Sequence, residues 1–248
     1  MTKISPYRRP PITEAIIDLR VIPRSELSLQ DFENFLPEQE ASDWKKSEIV
    51  QAEGIFKFNE DSIPESTATR KQLGWRFNSD DGKSIVQLQR DRLSFSRLAP
   101  YPGWEAFRSE GRRLWNLFRL KTSPQSLCRL AVRYINRVDI PSTRVDLKAY
   151  FQTFPEISPD LPQEICGYLM QLVSPQSDFG GQALINQTIV PPPREGVTSI
   201  VLDIDLMSGG DVPTTEDEIW AFFERLHVRK NDIFEASITD KTRELFDS

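Results

Sequence analysis

The sequence predicts an α+β protein built from two pseudo-repeated β-α-β-β-β-α units, which together form a mostly antiparallel sheet with the long helices packed on one face. Three observations carry this. Short runs rich in β-branched and aromatic residues alternate apolar and polar side chains with period two. Two long segments, one closing each half of the chain, place aromatic residues at helical spacing. The same order of elements occurs twice across 248 residues.

The first strand is Glu14 to Val21, where Ala15, Ile17, Leu19 and Val21 alternate with Glu14, Ile16, Asp18 and Arg20, so that one face is buried. Pro23 ends it. Ser28 then precedes Leu29, Phe32 and Phe35, a spacing of three that suits a short capped helix stopping before Pro37. Glu48 to Phe58, Leu73 to Asn78, Ser84 to Gln89 and Leu93 to Leu98 read as a meander, with tight turns at Asp80-Asp81-Gly82 and at Arg90-Asp91-Arg92. Glu60 to Arg70, with Pro64 and several Ser and Thr, is the most loop-like stretch of this half. Trp104 to Leu120 carries Trp104, Phe107, Leu114, Trp115 and Phe118 on helical spacing, and Pro124 marks its end.

Leu127 to Ile140 returns to strand and begins the second round. A short apolar segment follows at Leu147, Tyr150 and Phe154, then strands near Ile165 to Val173, Gly181 to Val190 and Thr198 to Met207, then a long helix from Thr215. Trp220 follows Trp104, Phe223 follows Phe107 and Ala131 follows Ala15 at one common offset, while Leu147, Tyr150 and Pro155 follow Leu29, Phe32 and Pro37 at an offset two residues longer. The halves run 1–124 and 125–248, as two domains or as one continuous pseudo-two-fold domain.

Composition narrows the function. With 31 Lys and Arg against 37 Asp and Glu the chain carries a net charge of −6, which disfavours a general attraction to nucleic acid or anionic lipid. The two cysteines, Cys128 and Cys166, are far apart and form no metal-binding spacing, which suits a reducing, cytoplasmic setting. No stretch reads as a membrane span or secretion signal. The single histidine, His227, reads as an ordinary surface or helix-end residue among charged neighbours. Asp178-Phe179-Gly180 lacks the companion motifs of a kinase, and the Gly180-Gly181 and Gly209-Gly210 pairs lack a phosphate-loop lysine, so both glycine pairs read as turns. No catalytic residue, metal ligand set or cofactor is expected.

The most suggestive constellation is strand-borne. Asp203 and Asp205 alternate with Leu202, Ile204 and Leu206 and so share one face. Arg20, Arg76, Arg133 and Arg137, with Arg90 and Arg92, lie on predicted strands or their turns, and Asp18 is spaced to pair with Arg20. Cross-strand ion pairing on a solvated face is one reading. An Arg/Asp-lined face that binds an anionic or mixed-charge ligand is a second, and a metal-dependent hydrolase using Asp18, Asp203 and Asp205 is a third. Basic residues also gather at Lys3, Arg8 and Arg9 and at Arg112, Arg113, Arg119 and Lys121, more as solubilising faces than as phosphate trackers. In the C-terminal Asn231 to Phe246, the apolar residues Ile233, Phe234, Leu245 and Phe246 either strap the chain onto its core or offer a helix to a partner.

Four stretches also carry a resemblance: Pro10-Pro11-Ile12-Thr13-Glu14-Ala15, Phe95-Ser96-Arg97-Leu98-Ala99-Pro100-Tyr101 followed by Trp104, Arg133-Tyr134-Ile135-Asn136-Arg137, and Asn231 to Phe246 with Ile238-Thr239-Asp240. Together they resemble a sporadically distributed, uncharacterised prokaryotic protein family of about this length. The resemblance covers the whole chain and implies no activity, cofactor or catalytic residue. Its patchy distribution implies a mobile accessory module linked to antiviral defence or toxin–antitoxin systems. The expected function is therefore non-enzymatic protein binding, as an accessory or antitoxin-like subunit, alone or as a homo-oligomer. A ligand or nucleic-acid sensor resembling saddle-shaped duplicated folds is the alternative.

Overall fold

The computed structural model describes residues 7–57, 65–210 and 212–247, except for the side chains of 55–57 and 65–67. The elements run β1 (Ile12–Ile22), α1 (Glu38–Ala41), β2 (Trp44–Lys57), β3 (Glu65–Ser79), β4 (Ser84–Gln89), β5 (Arg92–Leu98), α2 (Trp104–Thr122), β6 (Ser126–Ile140), β7 (Leu169–Gln176), β8 (Gly181–Val190), β9 (Thr198–Met207), α3 (Glu216–Ser237) and α4 (Asp240–Asp247). Short 3-10 turns follow β1 at Leu29–Phe32 and β6 at Leu147–Ala149. The first is capped by Ser28, which exchanges bonds with Gln30 and Asp31, and α3 is capped by a reciprocal Thr215–Glu218 box. α2 ends where Ser123 turns left-handed ahead of Pro124.

Among the described residues nine strands form one antiparallel sheet in the order β2-β3-β4-β5-β1-β6-β9-β8-β7. At its centre β1 runs against β6 from Ile12↔Asn136 to Ile22↔Ser126, so the two halves of the chain meet along a shared ladder. One buried apolar cluster spans both halves.

β2 starts at Trp44, four residues ahead of the predicted Glu48, and two further strands depart from their predicted bounds. Leu73 to Asn78 was expected as a short strand after a loop, but pairing with β2 extends β3 back to Glu65; the expected loop positions Glu60 to Pro64, like Phe58 and Lys3, lie outside the described residues. A two-stranded ribbon reaches out from the sheet here, since β4 pairs with β3 only from Gly74 to Asn78. The strand expected near Ile165 to Val173 instead starts at Leu169, where Leu169 pairs with Thr188, and Ile165 turns aside to line a groove with Val145 and Ile189.

Cross-strand partners share a face, so the register divides the sheet cleanly. Ala15, Ile17 and Leu19 share theirs with Phe95, Val86, Phe77, Val132, Tyr134 and Ile204. This Ile17 face is the core: Phe107 of α2 stacks on Phe95 with centroids 5.1 Å apart, and a Cβ on Gly111 would come within 2.9 Å of Ile17 Cδ1 and 3.5 Å of Trp220 in α3. The matched aromatics Trp104, Phe107, Trp220 and Phe223 are all buried. The offset that aligns them fails for the strands: Ala15 lies on the Ile17 face, whereas Ala131 pairs with Asp18 on the other. A period of two makes an even offset between these two strands impossible to keep while burying the same face.

Two ionisable groups intrude on the core from α3. His227 is not the surface residue its charged neighbours suggest. Its ring lies flat on Trp104, with centroids 4.3 Å and planes 4° apart, and its Nδ1 is buried without a hydrogen-bond partner. Burial, with Lys230 and Arg108 nearby, pushes its pKa down to about 3. One turn on, Lys230 is 5% exposed and holds Nζ 3.9 Å from the Tyr134 ring centroid. Its charge is costly there, and burial lowers its pKa to about 7 against a weaker upward pull from Glu235.

The C-terminus is strapped down. Ile238 bridges Phe151, Thr239 Oγ1 donates to Ala149 O at 2.7 Å, and Thr242 Oγ1 donates to Tyr150 O at 2.5 Å. Tyr7 packs against Phe234 and Phe246 and donates to Glu235 at 2.7 Å. No helix among the described residues is long and apolar enough to cross a membrane.

Candidate functional site

The face opposite Ile17 is polar in its centre. Working outward from β1, it carries Glu14, Ile16, Asp18 and Arg20; Arg92, Ser94 and Ser96 on β5; Gln87 and Gln89 on β4; Arg129, Arg133 and Arg137 on β6; and Val201, Asp203 and Asp205 on β9. Alternation alone places them, because each strand gives every second residue to the core. Short residues such as Asp18, Ser94, Ser96, Ala131 and Asp203 are buried beneath the longer arginines, which remain partly exposed. The guanidinium groups lie over the face as a polar lattice.

All six strand-borne residues singled out by sequence lie on this Asp18 face, and the register sorts them. Arg133 grips Asp203 through two parallel bonds, Nε to Oδ1 at 2.8 Å and Nη2 to Oδ2 at 2.6 Å, and Asn186 Nδ2 adds a third donor at 3.2 Å. This pairing with Asp203 raises the Arg133 pKa. Asp205 stands directly across from Arg133 yet makes no direct hydrogen bond or ion pair among the described residues. Desolvation raises its pKa, with Arg129 and Arg133 pulling the other way. Arg20 approaches Asp18 at 3.7 Å. Arg137 is held apart near one end of the ladder by Asp139 at 2.8 Å, Ser199 at 2.9 Å and the Pro191 carbonyl at 3.0 Å. Arg76 is remote: five strand spacings separate it from β9, roughly 24 Å at the usual distance, and among the described residues its side chain bonds only Asn78, at 3.0 Å.

Sequence reasoning passed over the residue that completes the centre. Arg129 donates to Asp18 Oδ1 at 2.8 Å and approaches Met207 Sδ at 3.6 Å, while Arg92 holds Asp18 Oδ2. Asp18 is thus the hub for three arginines. The signal for Arg129 was present, since it precedes Arg133 by four residues and must share its face. The four apolar residues considered for a partner fall elsewhere: Phe234 and Phe246 are buried, and Ile233 and Leu245 pack partly buried against the core, so in this conformation α4 closes the molecule and offers no apolar face.

As chemistry, the lattice is one of held charges. Of Asp18, Asp203 and Asp205, the acids that a hydrolase would use, Asp18 and Asp203 are committed to guanidinium groups, and Asp205 makes no direct side-chain bond among the described residues. Among the described residues, no group of three or more His, Cys, Asp or Glu is arranged to hold a metal ion. Comparison with protein-family models and with curated proteins returns no match.

Proposed function

We propose that this chain is a non-enzymatic binding protein that holds a protein partner on its Asp18 face, as an accessory or antitoxin-like subunit of a prokaryotic assembly. The carrying observation is the charge state of that face. Arg20, Arg92 and Arg129 share Asp18, Arg133 has Asp203 and Arg137 has Asp139, and with Asp205 and Glu14 on the same face five arginines meet five carboxylates, so the charges of the face balance while the arginines stay partly exposed. A phosphate backbone would have to strip those carboxylates away before gaining anything, whereas a protein surface of mixed charge can extend the lattice. The strand order supports a finer reading. From the central β1–β6 pair the sheet steps outward through β5, β4 and β3 on one side and through β9, β8 and β7 on the other, as two copies of one unit would, with β2 as an extra strand beyond β3. On that reading both long helices cover the Ile17 face, and the Asp18 face stays open for recognition. The two exposed, unpaired cysteines favour a cytoplasmic setting.

The test is binding of the purified chain to the purified products of neighbouring genes, measured for the native protein and for Arg133→Glu, which sets a second acid against Asp203. Binding should weaken about tenfold or more in the variant while its circular dichroism stays native. Failure of every neighbour to bind, or binding indifferent to Arg133→Glu, defeats the proposal. Steeply salt-dependent binding of duplex DNA or RNA that vanishes in Arg133→Glu would replace a protein partner with nucleic acid.

A further inference from the structure

The sheet ends at β2 on one side and β7 on the other, and the two edges differ in chemistry. β2 carries Lys45, Lys46, Glu48 and Glu53, charges of the kind that discourage a further strand from adding. β7 carries none. From Gly167 to Ser177 there is no charged residue, in a chain of which 27% of residues are charged. The strand is nonetheless well exposed, with Leu169 at 74%, Val173 at 59% and Leu172 at 40%. Among the described residues its backbone pairs with β8 alone, leaving the outer row of N–H and C=O groups without a ladder partner.

We propose that β7 is a dimerisation edge, pairing antiparallel with β7 of a second copy about a two-fold axis at Gln171. The unpaired backbone requires an extended strand as occupant, and the side chains select which one. With the axis at Gln171, Leu169 of each copy stands opposite Val173 of the other, both on the Asp18 side, since Leu169 pairs with Thr188 and Thr188 with Val201. On the opposite side Met170 of each copy stands opposite Leu172 of the other. Every exposed apolar residue of the strand thereby gains an apolar cross-strand neighbour. Pro175, which has no N–H to give, falls opposite Gly167, beyond the start of the strand. Moving the axis to Leu172 would set Leu169 against Pro175 and Val173 against Gln171. The missing charge fits the same reading: charged side chains on an edge strand discourage a further strand from adding, and this edge, unlike β2, has none. The axis stands perpendicular to the sheet, so the sheet continues through both copies with their Asp18 faces on the same side.

The mass of the full chain is followed by sedimentation over a wide concentration series, together with two sets of variants. The native protein should show a reversible monomer–dimer equilibrium. Leu169→Lys with Val173→Lys should be monomeric throughout, with unchanged circular dichroism because both positions are exposed. In a Cys128→Ser, Cys166→Ser background, Gln171→Cys should form a disulfide-linked dimer under mild oxidation, since the axis brings each residue 171 opposite itself within disulfide reach, while Ser174→Cys should not. The inference is overturned by a native protein that stays monomeric at every concentration, including one whose β7 captures an extended peptide instead. It is equally overturned by a dimer that survives the lysine pair, or by cross-linking at position 174 and not at 171.

Discussion

Replacing Lys230 with methionine removes a buried charge while keeping an unbranched side chain, and it should stabilise the fold at neutral pH. Lys230 is 5% exposed, has among the described residues only the Tyr134 ring beneath its Nζ, and has its pKa pushed down from 10.5 to about 7. Between those values the unfolded chain holds a proton that the folded chain releases, so stability rises with pH across the window and its loss is complete below it. The fall from 10.5 to about 7 corresponds to about 5 kcal/mol, net of the attraction between cation and ring, and because the folded amine is half-protonated at pH 7 the variant should gain about 4 kcal/mol there. The assay is thermal unfolding of both proteins at pH 7, 8 and 9. This range lies above the usual pKa of His227 and below those of Tyr101, Tyr134 and Tyr168, which burial raises further. The native protein should gain about 2 kcal/mol from pH 7 to pH 9, about 4 to 8 °C in Tm, and the variant should start higher and stay nearly level. Parallel pH profiles for the two proteins, or a variant less stable at pH 7, would refute the assignment of an uncompensated buried amine.

Other consequences follow from the same geometry. His227→Phe should resist acid better than the native protein: the folded pKa near 3 means that stability drains as pH falls from 6.5 towards 3, and acid titration followed by tryptophan fluorescence should show a lower unfolding midpoint in the variant. Asp18→Asn leaves Arg20, Arg92 and Arg129 facing one another without their shared anion, and should cost about 2 to 3 kcal/mol in urea unfolding. Gly209→Ala should cost about 1 to 3 kcal/mol by the same measure, because a Cβ at that position would overlap the carbonyl oxygen of Gly180, and backbone cannot step aside as a side-chain tip can.

Strand positions were largely legible in the sequence, and with them the content of each face. Glu14 to Val21 alternates but for Ile16, Leu202 to Leu206 alternates throughout, and period two then fixes which side Asp18 and Asp203 occupy before any partner strand is known. Pairing was not legible. Nothing local distinguishes Arg129, which reaches Asp18 across the ladder, from Arg137, which does not, because the choice belongs to the register of β1 against β6. The outer part of β3 was hidden for a related reason: its Ser, Thr and Lys residues are weakly patterned, and they become strand only because β2 lies alongside. His227 was misjudged by its neighbours, and Lys230 was passed over. Arg225 and Arg229 mark a wet stretch of helix, but Phe223, Leu226, Lys230 and Phe234 at three- and four-residue spacing trace the inner stripe, and both basic residues face it.

The central pairing also bears on how the molecule is made. β1 leaves the ribosome before its two neighbours, and one of them, β6, lies beyond α2, more than a hundred residues along. Until that stretch is synthesised the nascent N-terminal half carries a raw inner flank, apolar on one side and without a hydrogen-bonded mate, so closure must wait on distant chain and is expected to be slow. The same seam makes the connection at Ser123 and Pro124 a natural place to divide the polypeptide. Each piece would carry half of one ladder, insoluble by itself and competent to zip onto its complement when the two are expressed together.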